Sequence, residues 1–290
     1  MTTLGVIGGS GIYDIAGLTR IEELRVSTPF GDPSDALIRG RLGDTTLLFL
    51  PRHGRGHLVA PTAINYRANI CALKLAGAEQ VISLSAVGSM REDIHPGDVV
   101  IVDQYIDCTK QRISTFFDTG VVAHVGFSHP VCPNLSAALA RAARRAGGQV
   151  ISGGTYVCIE GPQFSSKAES LLYRSWGVSV IGMTALPEAK LAREAELPYA
   201  TLALATDYDC WHESAEPVSV EAILRVLHEN AELAKRTVAE LVRDLPKAEE
   251  SPAAHALEHA IITTPAAITS EARARLDWLI GPHLQKQQQA

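Results

Sequence analysis

Residues Tyr199–Asp209 read YATLALATDYD. The first seven, Tyr199–Ala205, are apolar on nearly consecutive positions, which suits a strand covered on both faces. The run then gives out into Thr206, Asp207, Tyr208 and Asp209. Two carboxylates one residue apart at the end of a buried strand stand at the mouth of a sheet. In an open parallel sheet that mouth is where ligands bind. Carboxylates there are costly unless they meet donors or carry a raised pKa.

On either side of this stretch, short β-rich runs alternate with helical patterns. Leu4–Ile7, Thr46–Leu50, Gln80–Leu84, Asp98–Asp103, Gly154–Ile159 and Val178–Ile181 read as further strands. Ala60–Leu75, Asn134–Ala146, Ser166–Trp176 and Ala185–Glu196 read as helices. The alternation predicts an α/β fold, a single-domain mixed but mainly parallel twisted sheet flanked by helices. Thr109–Cys132 lacks a clear period and reads as a long loop, functional or disordered. After Pro217 a stripe of Val220, Ile223, Leu224, Leu227, Ala231, Ala234, Val238 and Leu241 predicts a helix of roughly seven turns. From Pro246 the composition shifts toward Ala, Glu, Pro and His. Residues 1–246 are expected to form the domain and 247–290 a partly helical appendage, helical around Glu271–Ile280 and frayed at its QKQQQ end.

The 290 residues are 46% hydrophobic and 20% charged, with a net charge of -6. That is ordinary globular material, long enough for one large core. Lysine and arginine are scattered rather than blocked, which argues against a nucleic-acid groove. Cys71, Cys108, Cys132, Cys158 and Cys210 include no CxxC pair. Neither a disulfide framework nor a thiolate zinc cage is expected, and a reducing compartment is the simplest setting. No run approaches the ~20 apolar residues of a membrane span. The start, MTTLGVIGGSG, has no basic region or long apolar stretch of a signal peptide. A soluble, cytoplasmic protein without a membrane partner is the expectation.

The other strand ends carry donors. Gly8-Gly9-Ser10-Gly11 lets backbone amides approach an anion, or simply makes a tight turn. It is not GxGxxG and lacks the lysine of a Walker loop. Pro51-Arg52-His53-Gly54 closes another strand, where a guanidinium fork suits a phosphate or a neighbouring acid. Ser85-Ala86-Val87-Gly88-Ser89 sets a hydroxyl beside backbone amides. Thr184 opens a helix, where capping is its default use. Singly, each has a plain structural role. Together, four strand ends deliver Ser10, Arg52 with His53, Ser85 and Thr184, all suited to an oxyanion, and a fifth delivers two carboxylates. A bare phosphate and a purine account for both halves. The purine's exocyclic amine donates to a carboxylate, and its ring nitrogen must be protonated before the base can leave.

In order along the chain, IGGSGIYD, TPFGDPSDALIRG, PRHGRGH, NYRANICALK, SAVGSMRE, PGDVVIVDQYID, IEGPQFSSKAES, GMTALPEA and ATDYDCWHE resemble the purine nucleoside phosphorylase family, in its 5'-methylthioadenosine phosphorylase branch. The resemblance runs from about Leu4 to Leu245. It implies phosphorolysis of 5'-methylthioadenosine to adenine and 5-methylthioribose 1-phosphate, a salvage reaction, in a homotrimer. Inorganic phosphate is the co-substrate and no metal or organic cofactor is expected. The resemblance places Ser10, Arg52, His53, Ser85, Ala86 and Thr184 at phosphate, Ser10 and Ser85 standing where relatives often have Thr. It sets Met183 against the ribose, Phe164 and Ser165 at the base, and Asp207 and Asp209, flanking Tyr208, toward N7 and the exocyclic amine. Val220, Ile223 and Leu224 match the wall around the 5' substituent, while the pattern alone reads them as core. His124 matches a residue that reaches a neighbouring subunit's pocket, while its surroundings alone read as loop.

The acid pair separates this reading from its same-class rival, a phosphorylase for methylthioinosine or another 6-oxopurine nucleoside, because a 6-carbonyl accepts where an amine donates. A nucleotide-sensing module and a dinucleotide-dependent oxidoreductase are the rivals from other classes. The missing GxGxxG weighs against the latter.

Overall fold

In chain order the strands are β1 (Thr3–Gly8), β2 (Thr19–Leu24), β3 (Leu37–Leu42), β4 (Thr45–Pro51), β5 (Gln80–Ser89) and β6 (Val99–Ile101). They continue with β7 (Gln104–Cys108), β8 (Val150–Ser152), β9 (Thr155–Ile159), β10 (Val180–Gly182) and β11 (Tyr199–Tyr208). The helices are α1 (Tyr66–Leu75), α2 (Pro133–Arg145), α3 (Lys167–Ser175), α4 (Ala185–Glu194), α5 (Val220–Leu241) and α6 (Ser270–Gln289). The computed structural model describes residues 2–9, 12–212 and 220–289, with backbone alone at 220–225 and 286–289.

Among the described residues all eleven strands join one sheet, and the sheet forks. β1 lies parallel between β4 and β5. β5 pairs in parallel with β11 from Val81 opposite Tyr199 to Ser89 opposite Tyr208. Beyond β11 come β6 and then β8. On its other edge β5 leaves β1 after Ser83 and meets β10, antiparallel, at Gly88 and Ser89. β10 leads on to β9 and β7. The two branches part beside Ser85–Val87, and in a strand otherwise almost wholly buried Ala86 is exposed there.

The α/β architecture expected from the sequence is the one observed, with differences at the edges. β2, β3, β7 and β8 carry no strong strand signal. β2, TRIEEL, is nearly all exposed, so it has no buried face to write a period of two into the sequence. α1 starts at Tyr66 rather than Ala60. Asn65 caps it by accepting from the Ala68 amide at 3.1 Å, and Pro61–Ala63 ahead of it is a separate 3₁₀ turn. β11 runs past Ala205 to Tyr208 across a bulge, so Asp207 lies within the strand. Thr109–Cys132 is irregular, as its lack of period indicates.

Each face of the sheet is covered. α2 and α5 bury Leu135, Leu139, Leu233, Val238 and Leu241 against Leu4, Leu47, Leu202 and Leu204. Leu227 on α5, on the same sequence stripe, is instead 39% exposed. On the opposite face α1 and α4 bury Ile70, Leu73, Leu186 and Leu191 in a core that also holds Leu257, Leu276, Leu279, Ile280 and Leu284 of the C-terminal segment. Trp278 meets Phe116 edge-on at 5.3 Å. Glu196 accepts from the Leu257 amide at 2.9 Å and faces His283 Nε2 at 3.0 Å.

Because Leu276 is fully buried, Leu276→Ala should cost about 2–5 kcal/mol. The expected reading is a lower urea midpoint with an unchanged slope. A loss below about 1 kcal/mol would exclude the C-terminal segment from the cooperative core.

Candidate active site

Arg52 directly follows β4 and is 2% exposed. Its Nη1 donates to Thr184 Oγ1 at 2.6 Å, and its Nη2 donates to Ser83 Oγ at 2.8 Å, Ile7 O at 3.1 Å and Leu84 O at 3.2 Å. Nε faces Glu188 Oε2 of α4 at 3.5 Å, an ion pair in which neither atom makes an aligned hydrogen bond. Glu188 Oε1 in turn accepts from Tyr199 Oη at 2.8 Å. Burial works against the guanidinium's charge. Glu188, with Tyr199, Tyr66 and Tyr156, outweighs it and holds the pKa above the ordinary arginine value. Arg52 thus gathers the end of β1, the middle of β5 and the β10–α4 turn around one cation. Ser85, 3% exposed, shares a 3.2 Å hydrogen bond with Tyr156 Oη. Gly182 makes that contact possible, since a Cβ there would lie 2.0 Å from the same hydroxyl.

His53 Nδ1 donates to Val59 O at 2.8 Å, and its ring stacks on His57 at 4.2 Å. Burial first, then Arg52 and His57, pushes its pKa down to about 4 against the pull of the Val59 carbonyl. With no anion beside it the ring is therefore uncharged at neutral pH.

The acid pair lies at the far tip of the same two strands. Gly88 of β5 stands opposite Asp207 of β11. A Cβ at Gly88 would come within 3.3 Å of Asp207 Oδ1 and 3.5 Å of Asp209 Cβ, so the glycine lets both acids close on β5. Asp207 Oδ2 accepts from Thr206 Oγ1 at 2.6 Å. Burial raises its pKa, the Thr206 hydrogen bond opposes, and the Asp209 carboxylate adds to the rise. Asp209, 8% exposed, accepts from Ser170 Oγ on α3 and, at 3.9 Å, from Cys210 Sγ. Cys210 also reaches Ser165 O at 3.4 Å, which sets the GPQFSS loop beside the acids. Ser85 and Gly88 are three residues apart on β5, about 10 Å at strand rise. An oxyanion site and a pair of carboxylates at that separation match the two ends of a nucleoside with phosphate beneath its sugar.

A family model described as the phosphorylase superfamily matches residues 3–243. A protein of Geobacter sulfurreducens called S-methyl-5'-thioadenosine phosphorylase is 55% identical over 97% of this chain and 99% of its own length. One of the same name from Koribacter versatilis is 51% identical over 98% of this chain and 97% of its own. Among solved structures, a methylthioadenosine phosphorylase from an antarctic soil metagenomic library superposes with a TM-score of 0.92 at 46% identity, covering 96% of this chain and 98% of that one. A mutant of the adenosine/methylthioadenosine phosphorylase from Schistosoma mansoni, in complex with methylthioadenosine, gives a TM-score of 0.79 at 35% identity, covering 84% and 91%. The chain belongs to the phosphorylase superfamily, in its methylthioadenosine phosphorylase branch.

Not every residue singled out in this phosphorylase joins the cluster. Tyr208 faces the other way along β11, stacking on His212 at 4.4 Å and meeting Trp211 edge-on. Phe164 lies on the loop beside the acids but is 84% exposed in the isolated chain. His124 is exposed, its amide donating to Ala260 O at 2.9 Å where residues 121–124 bridge to the C-terminal segment. Ser10 lies outside the described residues, as do the side chains of Val220, Ile223 and Leu224, although the α5 backbone begins at Val220. Concavities of about 440 Å³ beside Met90–Asp93 and Arg174, and of about 160 Å³ beside Ser114, Phe127 and Glu194, lie away from the acids and Arg52.

Sequence reasoning passes over Glu188, Tyr156, Tyr199, Ser170 and Arg112, each a buried partner of a site residue or site turn. Arg112 Nη1 donates to Met183 O at 2.6 Å, and Nη2 to Glu160 O at 2.6 Å. Met183 itself packs on Gly161, where a Cβ would sit 2.5 Å from its sulfur.

A partly buried acid whose folded pKa is raised favours its protonated form more than the unfolded chain does. Asp207 therefore withdraws stability as pH rises past the ordinary aspartate value of 3.8, where the unfolded chain ionises first. Asp207→Asn should raise Tm at pH 7 relative to the parent and lose that advantage near pH 3, by calorimetry across the range. A pH-independent difference would show that the fold does not raise the Asp207 pKa.

Proposed function

We propose that the protein cleaves 5'-methylthioadenosine with inorganic phosphate, giving adenine and 5-methylthioribose 1-phosphate. The observation that carries the reading is the pairing of β5 with β11, which sets Asp207, with its raised pKa, beside Gly88 and about 10 Å along β5 from Ser85, while Arg52 and Thr184 meet on the other edge of β5. A carboxyl that retains a proton can share it with N7, so the purine leaves neutral. Asp209, oriented by Ser170, is the acceptor suited to the exocyclic amine. Phosphate seated by Thr184, Ser85, the exposed Ala86 and Ser10 sits beneath the sugar. There it attacks the anomeric carbon and offsets the positive charge developing on the ring. Met183 lies against the ribose, Phe164 and Ser165 border the base, and Val220, Ile223 and Leu224 wall the 5' group. An apolar wall favours methylthio over hydroxyl, which would lose its water partners there.

Bond making and breaking need only a nucleophile and a proton, so the reaction as proposed calls for no metal or organic cofactor. We read the assembly as a homotrimer in the cytoplasm. Phe164, Ile113, Val122 and Ile262 are large apolar residues exposed on the isolated chain, and His124, beside two of them, is the residue expected to reach a neighbour's pocket. Light-scattering mass at working concentration should give three chains per particle. A monomer with full activity would remove the assembly from the mechanism.

The decisive assay offers methylthioadenosine, adenosine, methylthioinosine and inosine, each with and without phosphate. Adenine release from methylthioadenosine that depends on phosphate supports the reading, and faster turnover of the 6-oxo nucleosides overturns it. Asp207→Asn should lower kcat on methylthioadenosine by about 10²- to 10⁴-fold, the usual worth of a positioned acid, with the phosphate Kd held. Equal loss of both would remove Asp207 from its role at the base.

A further inference from the structure

Arg112 sits in the stretch without periodicity, yet its side chain is 1% exposed. Its guanidinium is spent on main-chain carbonyls. Nη1 donates to Met183 O and Leu186 O, both at 2.6 Å, and to Tyr66 Oη at 3.0 Å. Nη2 donates to Glu160 O at 2.6 Å and Ile159 O at 3.4 Å. Nε faces Glu160 Oε1 at 3.4 Å. The Glu160 carboxylate is held in turn by Thr62 Oγ1 at 2.8 Å, the Gln111 amide at 3.3 Å and the Lys110 amide. Charge is thereby balanced inside the protein, and the pair anchors back into its own loop.

The carbonyls come from two separate turns. Ile159 and Glu160 end β9 and lead into the loop carrying Phe164 and Ser165. Met183 and Leu186 bracket Thr184, the first in the turn after β10 and the second at the start of α4, where its backbone is not yet helical. Pairing between β9 and β10 reaches only Cys158 opposite Gly182. Past that point ladder hydrogen bonds no longer fix the distance between the turns, and the Arg112 fork spans them.

We propose that Arg112 is a positioning residue of the reaction, one that sets the base-side loop in register with the turn that seats sugar and phosphate, without touching substrate. The inference rests on the function proposed above in assigning those two turns to base and phosphate. A planar fork with fixed donor directions suits the task. A lysine ammonium, a point charge on a flexible stem, cannot hold carbonyls of both turns in one geometry. Each half-site would remain intact in its absence, but the reacting atoms would no longer be held in line.

The test is Arg112→Lys in the full-length protein, assayed on whichever nucleoside the parent cleaves best, with adenine and inorganic phosphate titrated separately by calorimetry. The expected result is a fall in kcat of about 100-fold, the scale of an ångström-sized misalignment, while the Kd values for adenine and for phosphate each stay within about threefold of the parent. Tyr66→Phe, which removes one acceptor from Nη1 and leaves the carbonyls, should lower kcat by about three- to tenfold on the same pattern. An unchanged kcat per adenine-titrated site, with only Tm or the fraction of competent sites reduced, would show a purely structural role and overturn the proposal. Loss of adenine or phosphate affinity in step with kcat would overturn it as well, by placing the effect in one turn rather than between two. Should Arg112→Lys fail to fold, a Tyr66→Phe protein with parental kcat overturns it alone. A parent that prefers a 6-oxo nucleoside would sink the substrate assignment and leave this test standing.

Discussion

β5 keeps β11 along one edge but exchanges β1 for β10 along the other, and the exchange leaves a gap between Ser83 and Gly88. A buried strand cannot simply lose a neighbour, because its backbone groups still need partners. Arg52 supplies one of them, donating to Leu84 O where β1 has ended. On the opposite edge Thr206 Oγ1 lies 3.2 Å from Val87 O beside the β11 bulge, its one proton shared between that carbonyl and Asp207. The fork thus opens the sheet where Ala86 meets solvent and is closed around that opening by polar side chains rather than apolar ones. A polar opening in the sheet is the outcome, and its position is set by main-chain pairing.

Two arginines finish what the ladders leave undone, by the same means. Arg52 with Glu188 and Arg112 with Glu160 each turn a cation's donors onto carbonyls and hydroxyls at strand ends, with a carboxylate behind to balance the charge. Removing an ion from water costs several kcal/mol even after relaxation, and a buried pair seldom returns a large surplus. Their value is therefore poorly explained by stability. It is better explained by geometry. Each fork fixes three or more segments of chain that share no continuous hydrogen-bonded ladder, around a region that must stay open. A well-packed apolar residue could replace either in volume but could not fix the carbonyl directions.

How much of this is legible in the sequence follows from how local each signal is. The central strands are legible because burial on both faces writes unbroken apolar runs, YATLALA among them. The carboxylates are legible because they interrupt such a run where it ends. β2 is not, since TRIEEL answers to no buried face. The C-terminal helix carries Leu276, Leu279, Ile280 and Leu284 at helical spacing, but the surface that receives them is built from Phe116 and Leu186 far away in the chain. Glu188 and Arg112 are the least legible. A glutamate in a helical pattern and an arginine in an aperiodic loop read as solvated until a third dimension supplies Arg52, 136 positions earlier, or Met183, 71 later. Ser170 hides for the same reason, within a helix whose capping box, Ser166 with Glu169, accounts for its nearest polar neighbours.

The two aspartates at the end of β11 show how one short motif yields unequal groups. Both are drawn against Gly88, yet their partners differ in kind. Asp209 is gripped across chain segments by the Ser170 hydroxyl, with the Cys210 thiol nearby. Its orientation is thus bound to α3 and to the loop that borders the base. Among the described residues Asp207 receives only the hydroxyl of its own neighbour, Thr206, which also turns toward Val87 O. Burial is then left to dominate, and it favours the neutral acid. One carboxyl is held in place while the other is inclined to hold a proton. A site that must grip a purine and also let it leave uncharged needs both properties. Two identical side chains supply them because the chain carries one to a partner on α3 and leaves the other with the hydroxyl of its own neighbour.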